Sequence, residues 1–162
     1  MLRELIALSD ESRVWLYQCN RELSYDEIDE LRPALFNFVS DWSSHKVDVP
    51  AYGNIFHRRF IGFFADESQM HGVSGCSIDS SVQFIRQVSE HLKVDFFDRL
   101  QFAYLHGEEV RTIHQSEMKG SYEKKEIDKE TLFFDNLVTT KADFLKSWLK
   151  PLESSWHARM IR

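Results

Sequence analysis

The run Gly72-Val73-Ser74-Gly75-Cys76-Ser77-Ile78-Asp79-Ser80-Ser81 brings a thiol, several hydroxyls and two glycines together just ahead of a helical pattern. Apolar residues then recur at helical intervals, at Ile78, Val82, Ile85, Val88 and Leu92, which places Cys76 at a helix start. Amides in a first helical turn have no acceptor within the helix, and the helix dipole favours negative charge there. Such a terminus can hold an anion and can push a thiol toward its reactive thiolate. Gly72 and Gly75 allow close approach of backbone to ligand. The pattern therefore predicts a small-molecule or anion site at Gly75, Cys76 and Ser77, with Asp79 beside it. A plainer account competes: Ser77 or Asp79 caps the helix, and Cys76 is a small buried residue.

A thiol nucleophile needs a base within reach. His71 is close in sequence, and His157 stands in Ser154-Ser155-Trp156-His157-Ala158-Arg159. The catalytic set expected on this reading is Cys76, Asp79 and His157. In Asp95-Phe96-Phe97-Asp98-Arg99 two carboxylates three residues apart could share a metal ion or a proton if they converge. Equally, Asp98 and Arg99 could pair at a strand entrance while the phenylalanines fill the core; both stay in the candidate ligand set, and no metal is assigned. In Asp135-Asn136-Leu137-Val138-Thr139-Thr140-Lys141, Asn136 and Lys141 are further ligand candidates, although such residues also serve turns and caps.

Other chemistries lack their residues. There is no G-x-x-x-x-G-K-[ST] loop for nucleotide phosphates and no G-x-G-x-x-G for a dinucleotide. H-E-x-x-H, C-x-x-C and G-x-S-x-G are also missing, and Val82 stands where a cysteine-phosphatase loop needs arginine. No cofactor is expected. The net charge of −6 disfavours a nucleic-acid partner, because phosphate binding needs concentrated positive surface. No basic segment followed by an apolar run opens the chain, no membrane-length apolar stretch occurs, and the two cysteines read as free thiols, so a cytoplasmic protein is expected.

The elements that must position these residues come from a chain of 162 residues, expected to form one domain. Thirteen Phe and four Trp suffice for a well-filled core, with a surplus that could line a pocket or an interface. The alternative function is accordingly a non-catalytic protein–protein interaction or a homo-oligomer. Residues 1–12 read as an N-terminal helix or arm, and Val14–Cys19 as a strand. Ser24 and Glu27 have capping-box spacing ahead of a helix that Pro33 should kink or restart. Residues 52–65 fit either two strands meeting near Arg58 or one bulged strand. Two more strands flank a turn at His106-Gly107, residues 115–130 form an exposed polar segment, and residues 140–162 a helical C-terminal extension. The sum is an α+β fold, an antiparallel or mixed sheet with helices packed on one face, and a ferredoxin-like βαββαβ order is one plan that fits.

Gly75-Cys76-Ser77-Ile78-Asp79, Asp95-Phe96-Phe97-Asp98-Arg99, Phe102-Ala103-Tyr104, Asn136-Leu137-Val138-Thr139-Thr140-Lys141-Ala142 and Ser155-Trp156-His157-Ala158-Arg159 carry a resemblance. From about Val14 to its end, the chain resembles a family of small proteins of Bacteroidetes-type bacteria whose members often bear the automatic label "ABC transporter ATPase". That label implies a Walker A loop and an L-S-G-G-Q segment, and this sequence has neither. The resemblance implies no established activity, so it assigns no site residue.

Overall fold

The computed structural model describes residues 2–44, 49–67 and 75–162, and only the backbone of residues 2–4, 43–44 and 75–77. Two compact units result, Met1–Phe97 with Thr139–Ala142, and Asp98–Val138 with Asp143–Arg162. Helices and antiparallel sheets together make the fold α+β.

The first unit runs α1 (Leu2–Ala7), β1 (Arg13–Gln18), α2 (Tyr25–Ser44), β2 (Ala51–Phe56), β3 (Phe60–Ala65) and α3 (Gly75–Leu92). Its sheet has the order β1-β3-β2, both pairings antiparallel. Because strand side chains alternate, Trp15, Tyr17, Ile55, Ile61 and Phe63 share one face, and they pack with Ile28, Leu31 and Leu35 of α2 and Ile85 and Val88 of α3. Phe63 is fully buried there, ringed by Tyr17, Phe38, Trp42 and Phe84.

The capping box forms as its spacing requires: Ser24 N–H donates to Glu27 Oε2 at 2.8 Å, and Glu27 N–H to Ser24 Oγ at 3.1 Å. The Arg21 guanidinium, then the Ser24 amide, hold the Glu27 carboxyl down at about 2. The helix continues through Pro33 with no break in its assignment. Proline frees only the carbonyl four residues back, and Asp29 and Pro33 both lie on the exposed side, where water can hydrate it.

Residues 52–65 resolve into two strands joined by a turn in which His57 and Arg58 take positive φ, 52° and 56°. Two successive left-handed residues match the twist of a hairpin, though non-glycine residues take that conformation at a cost. The turn is tied down: Arg58 Nε donates to Leu23 O (3.0 Å), Arg58 Nη1 pairs with Glu22 (2.7 Å), and Leu23 N–H donates to Arg58 O (2.7 Å).

The second unit has a four-stranded antiparallel sheet, β5-β4-β6-β7, from β4 (Gln101–His106), β5 (Glu109–His114), β6 (Leu132–Phe134) and β7 (Leu149–Pro151). Gly107 turns β4 into β5 at φ 63°, open to a residue without Cβ. The core gathers Phe102, Ile113, Met118, Ile127, Phe133 and Leu152.

Three expectations change. The β1-α2-β2-β3-α3 order and the β1-β3-β2 arrangement follow most of the βαββαβ plan, but β4 joins β5 and β6 in a second sheet, so the one-sheet plan is not completed. The polar segment 115–130, with α4 (Met118–Glu123), is largely exposed yet buries Met118 and Ile127 as core anchors. The C-terminal extension is helical only in α5 (Lys141–Ser147) and short 3-10 turns. Leu149–Pro151 pairs with β6 instead, which lets the flanking Trp148 and Leu152 enter the interior.

Candidate functional site

Gly75 opens α3, as expected for a helix start near Cys76, while the side chains of Cys76 and Ser77 lie outside the described residues. Asp79 is exposed on the following turn. One turn on, buried Ser81 turns its Oγ to Ile78 O (2.7 Å) and meets the Tyr17 hydroxyl at 3.0 Å.

Of the other predicted residues, His157, Asp98, Asn136 and Lys141 have structural partners. His157 is 2% exposed, its ring set among Phe102, Phe133 and Trp156 and its Nδ1 hydrogen-bonded to Ser155 Oγ. Burial pushes its pKa down to about 4. Asp98 Oδ1 accepts the Leu100 amide (2.9 Å), Asp95 Oδ1 the Phe97 amide (2.7 Å), and Arg99 is exposed. Asn136 Oδ1 accepts the Trp148 indole N–H (3.0 Å). Lys141 is 4% exposed and donates Nζ to Leu8 O (2.6 Å) and Ile6 O (3.3 Å), the carbonyls at the end of α1. No group of three or more His, Cys, Asp and Glu side chains stands together as a metal site among the described residues.

Arg59 is an outlier that sequence reading passed over. It continues the β1–β3 register, with Cys19 N–H donating to Arg59 O at 2.7 Å, and it is only 8% exposed beside the fully buried Cys19. Its Nε and Nη1 have no hydrogen-bond partner among the described residues. Burial lowers the pKa of the guanidinium and raises that of the thiol. Unpartnered buried donors are destabilising, so Arg59→Met, which keeps the apolar stem, should raise unfolding stability by about 1–3 kcal/mol. Urea titration measures it, and a loss of stability instead would show that the guanidinium is engaged in solution.

A cleft of about 620 Å³ lies between α2 and β2. One wall is helix, with Arg32, Phe36 and Ser40 spaced four residues apart and Leu35 and Val39 deeper. The other is strand, Ala51 to Asn54. The strand wall is shaped by its residues: Gly53 fits close under α2, where a Cβ would stand 2.7 Å from Val39 Cγ2, and the Asn54 amide donates to the Tyr52 hydroxyl (2.9 Å). Phe36 is 67% exposed. Among the described residues, Arg32 is the only charged one lining the cleft, and it has no ion-pair partner there.

The two edges of this sheet differ. β1 is covered at its start by residues 139–142: Val14 N–H donates to Thr139 O (3.0 Å) and Lys141 N–H to Ser12 O (2.8 Å). β2 has no strand on its outer side among the described residues. An edge strand presents alternate N–H and C=O groups outward, and proteins usually guard such edges with charge, proline or a bulge. The segment Ala-Tyr-Gly-Asn-Ile-Phe carries no charge.

Sequence reading missed Phe36 and Arg32. The signal present was an aromatic residue off the apolar stripe formed by Ile28, Leu31, Leu35, Phe38, Val39 and Trp42. No helix of the described residues is long and apolar enough to cross a membrane. Comparison with protein-family models, curated proteins and solved structures finds no match.

Proposed function

We propose that this protein is a non-catalytic binding protein that receives an extended peptide segment by strand addition at β2. One observation carries the reading: an uncharged strand, with no strand on its outer side among the described residues, forms one wall of a cleft whose other wall is a helix. Strand addition of this kind uses the main chain for affinity and the groove for side-chain selectivity. The hydrogen bonds of His157, Asp98, Asn136 and Lys141 support it indirectly, since each of them holds the fold together.

The test is selection of a phage-displayed nonapeptide library on the immobilised protein, followed by two measurements on a selected peptide. Amide exchange within Ala51–Phe56 should slow on binding. N-methylation of the peptide backbone at alternate positions should weaken binding at least tenfold at one parity and little at the other, because successive strand N–H groups face opposite ways. Protection elsewhere, or insensitivity to methylation parity, would refute strand addition. So would a free protein that is already dimeric with β2 protected, since a second copy would then be the occupant.

A further inference from the structure

We infer that the segment docked on β2 carries an acidic side chain two residues from an apolar one, the acid held by Arg32 and the apolar group by Phe36. The inference rests on the strand-addition reading above and adds the chemistry of the partner.

The helix row and an added strand have matching repeats. Residues four apart on a helix are separated by about 6 Å along its axis, and side chains two apart on a strand by about 6.5 Å. The row Arg32, Phe36, Ser40 on the cleft wall therefore meets alternate side chains of a strand laid along it, in near register over two or three contacts. At one position of this row stands a guanidinium, with five donors and no ion-pair partner among the described residues. At the next stands a phenyl ring with 67% of its surface exposed. A planar cation selects a carboxylate, and an exposed ring selects an apolar side chain.

Charge complementarity also separates this partner from a second copy of the chain. The protein is acidic overall, with net charge −6, yet the β2 segment itself offers no carboxylate to Arg32. In a β2-to-β2 pairing, the β2 of the second copy supplies no carboxylate to that cation. A foreign acidic segment does, and its approach to a net-negative protein needs such a local positive contact.

The experiment repeats the library selection on the wild type, Arg32→Gln and Arg32→Glu, with circular dichroism to verify that the variants are folded. Arg32 is exposed and has no ion-pair partner among the described residues, so both should fold. The wild type should enrich peptides with Asp or Glu two positions from Leu, Ile, Val, Phe or Met. Arg32→Gln should bind a selected acidic peptide about tenfold more weakly, and Arg32→Glu should enrich Lys or Arg at the same position. Peptides that bind at β2 with no acidic position, or an acidic preference unchanged in Arg32→Glu, would overturn the inference and leave strand addition standing. If the wild type yields no β2-binding peptide, both fall.

Discussion

Acidification from pH 7 to pH 4 is expected to remove about 3 kcal/mol of folding stability through His157 alone. In the folded chain this imidazole has a pKa of about 4, with burial as the main cause. Asp135 pulls the value upward and Lys150 pushes it downward, and Lys150 Nζ is itself bonded to Asp135 Oδ2 at 2.8 Å. The ordinary value, which the unfolded chain adopts, is 6.5. Between these two values the unfolded state binds a proton that the folded state does not, so stability rises with pH there. The contribution is complete above about 6.5 and is lost as the pH falls toward 4, at about 1.4 kcal/mol for each pH unit of the gap. The geometry agrees with a neutral ring. It is enclosed by Phe102, Phe133 and Trp156, and its Nδ1 meets the Ser155 hydroxyl, which can donate to an unprotonated nitrogen. His157→Phe keeps a ring in the aromatic site and removes the titration. Urea unfolding at pH 7, 5.5 and 4.5, followed by a probe in the second unit, should show a steep loss in the wild type and a much flatter one in the variant. Equal slopes would show that His157 does not govern acid sensitivity.

Lys141→Met should cost about 2–3 kcal/mol, although methionine matches the apolar stem of lysine. The Nζ of Lys141 lies 2.6 Å from Leu8 O and 3.3 Å from Ile6 O, with Asp10 at 3.9 Å. The carbonyls at the end of a helix have no partners within it, and the dipole there favours a cation. Removing the ammonium leaves these acceptors inside a buried site, whereas an exposed pair of the same kind would lose little. The backbone of this segment is anchored as well, through Lys141 N–H to Ser12 O and Ala142 N–H to Asp10 O. Lys141→Met should therefore also speed amide exchange in Leu5–Leu8 more than elsewhere in the first unit. Wild-type stability and unchanged exchange in α1 would contradict this assignment.

Lys141 illustrates how far the sequence could be read. Its place beside Thr139 and Thr140 at a strand-to-helix junction was visible, and capping was one of the roles that spacing suggested. The helix it serves begins more than 130 residues earlier, and local spacing carries no information about such a partner. His157 is similar. As a histidine near hydroxyls it resembled a base, but the three rings that enclose it come from β4, β6 and its own turn. Once the chain folds around the imidazole, its protonation is decided by desolvation, which no local motif expresses.

Residues 52–65 stayed open between two strands and one bulged strand until the structure showed the turn at Arg58, but the sequence determined by itself the capping box at Ser24 and Glu27, the start of a helix near Cys76, the hairpin at Gly107, and the α+β class. These follow from hydrogen bonds and apolar periodicities that span a few residues. The tertiary structure alone decided that β4 joins a second sheet, that Thr139–Ala142 covers the start of β1, and that β2 is an edge strand among the described residues, beside a helix bearing Arg32 and Phe36. Those outcomes depend on which strands pair at long range, and pairing depends on the apolar surface that each arrangement buries together.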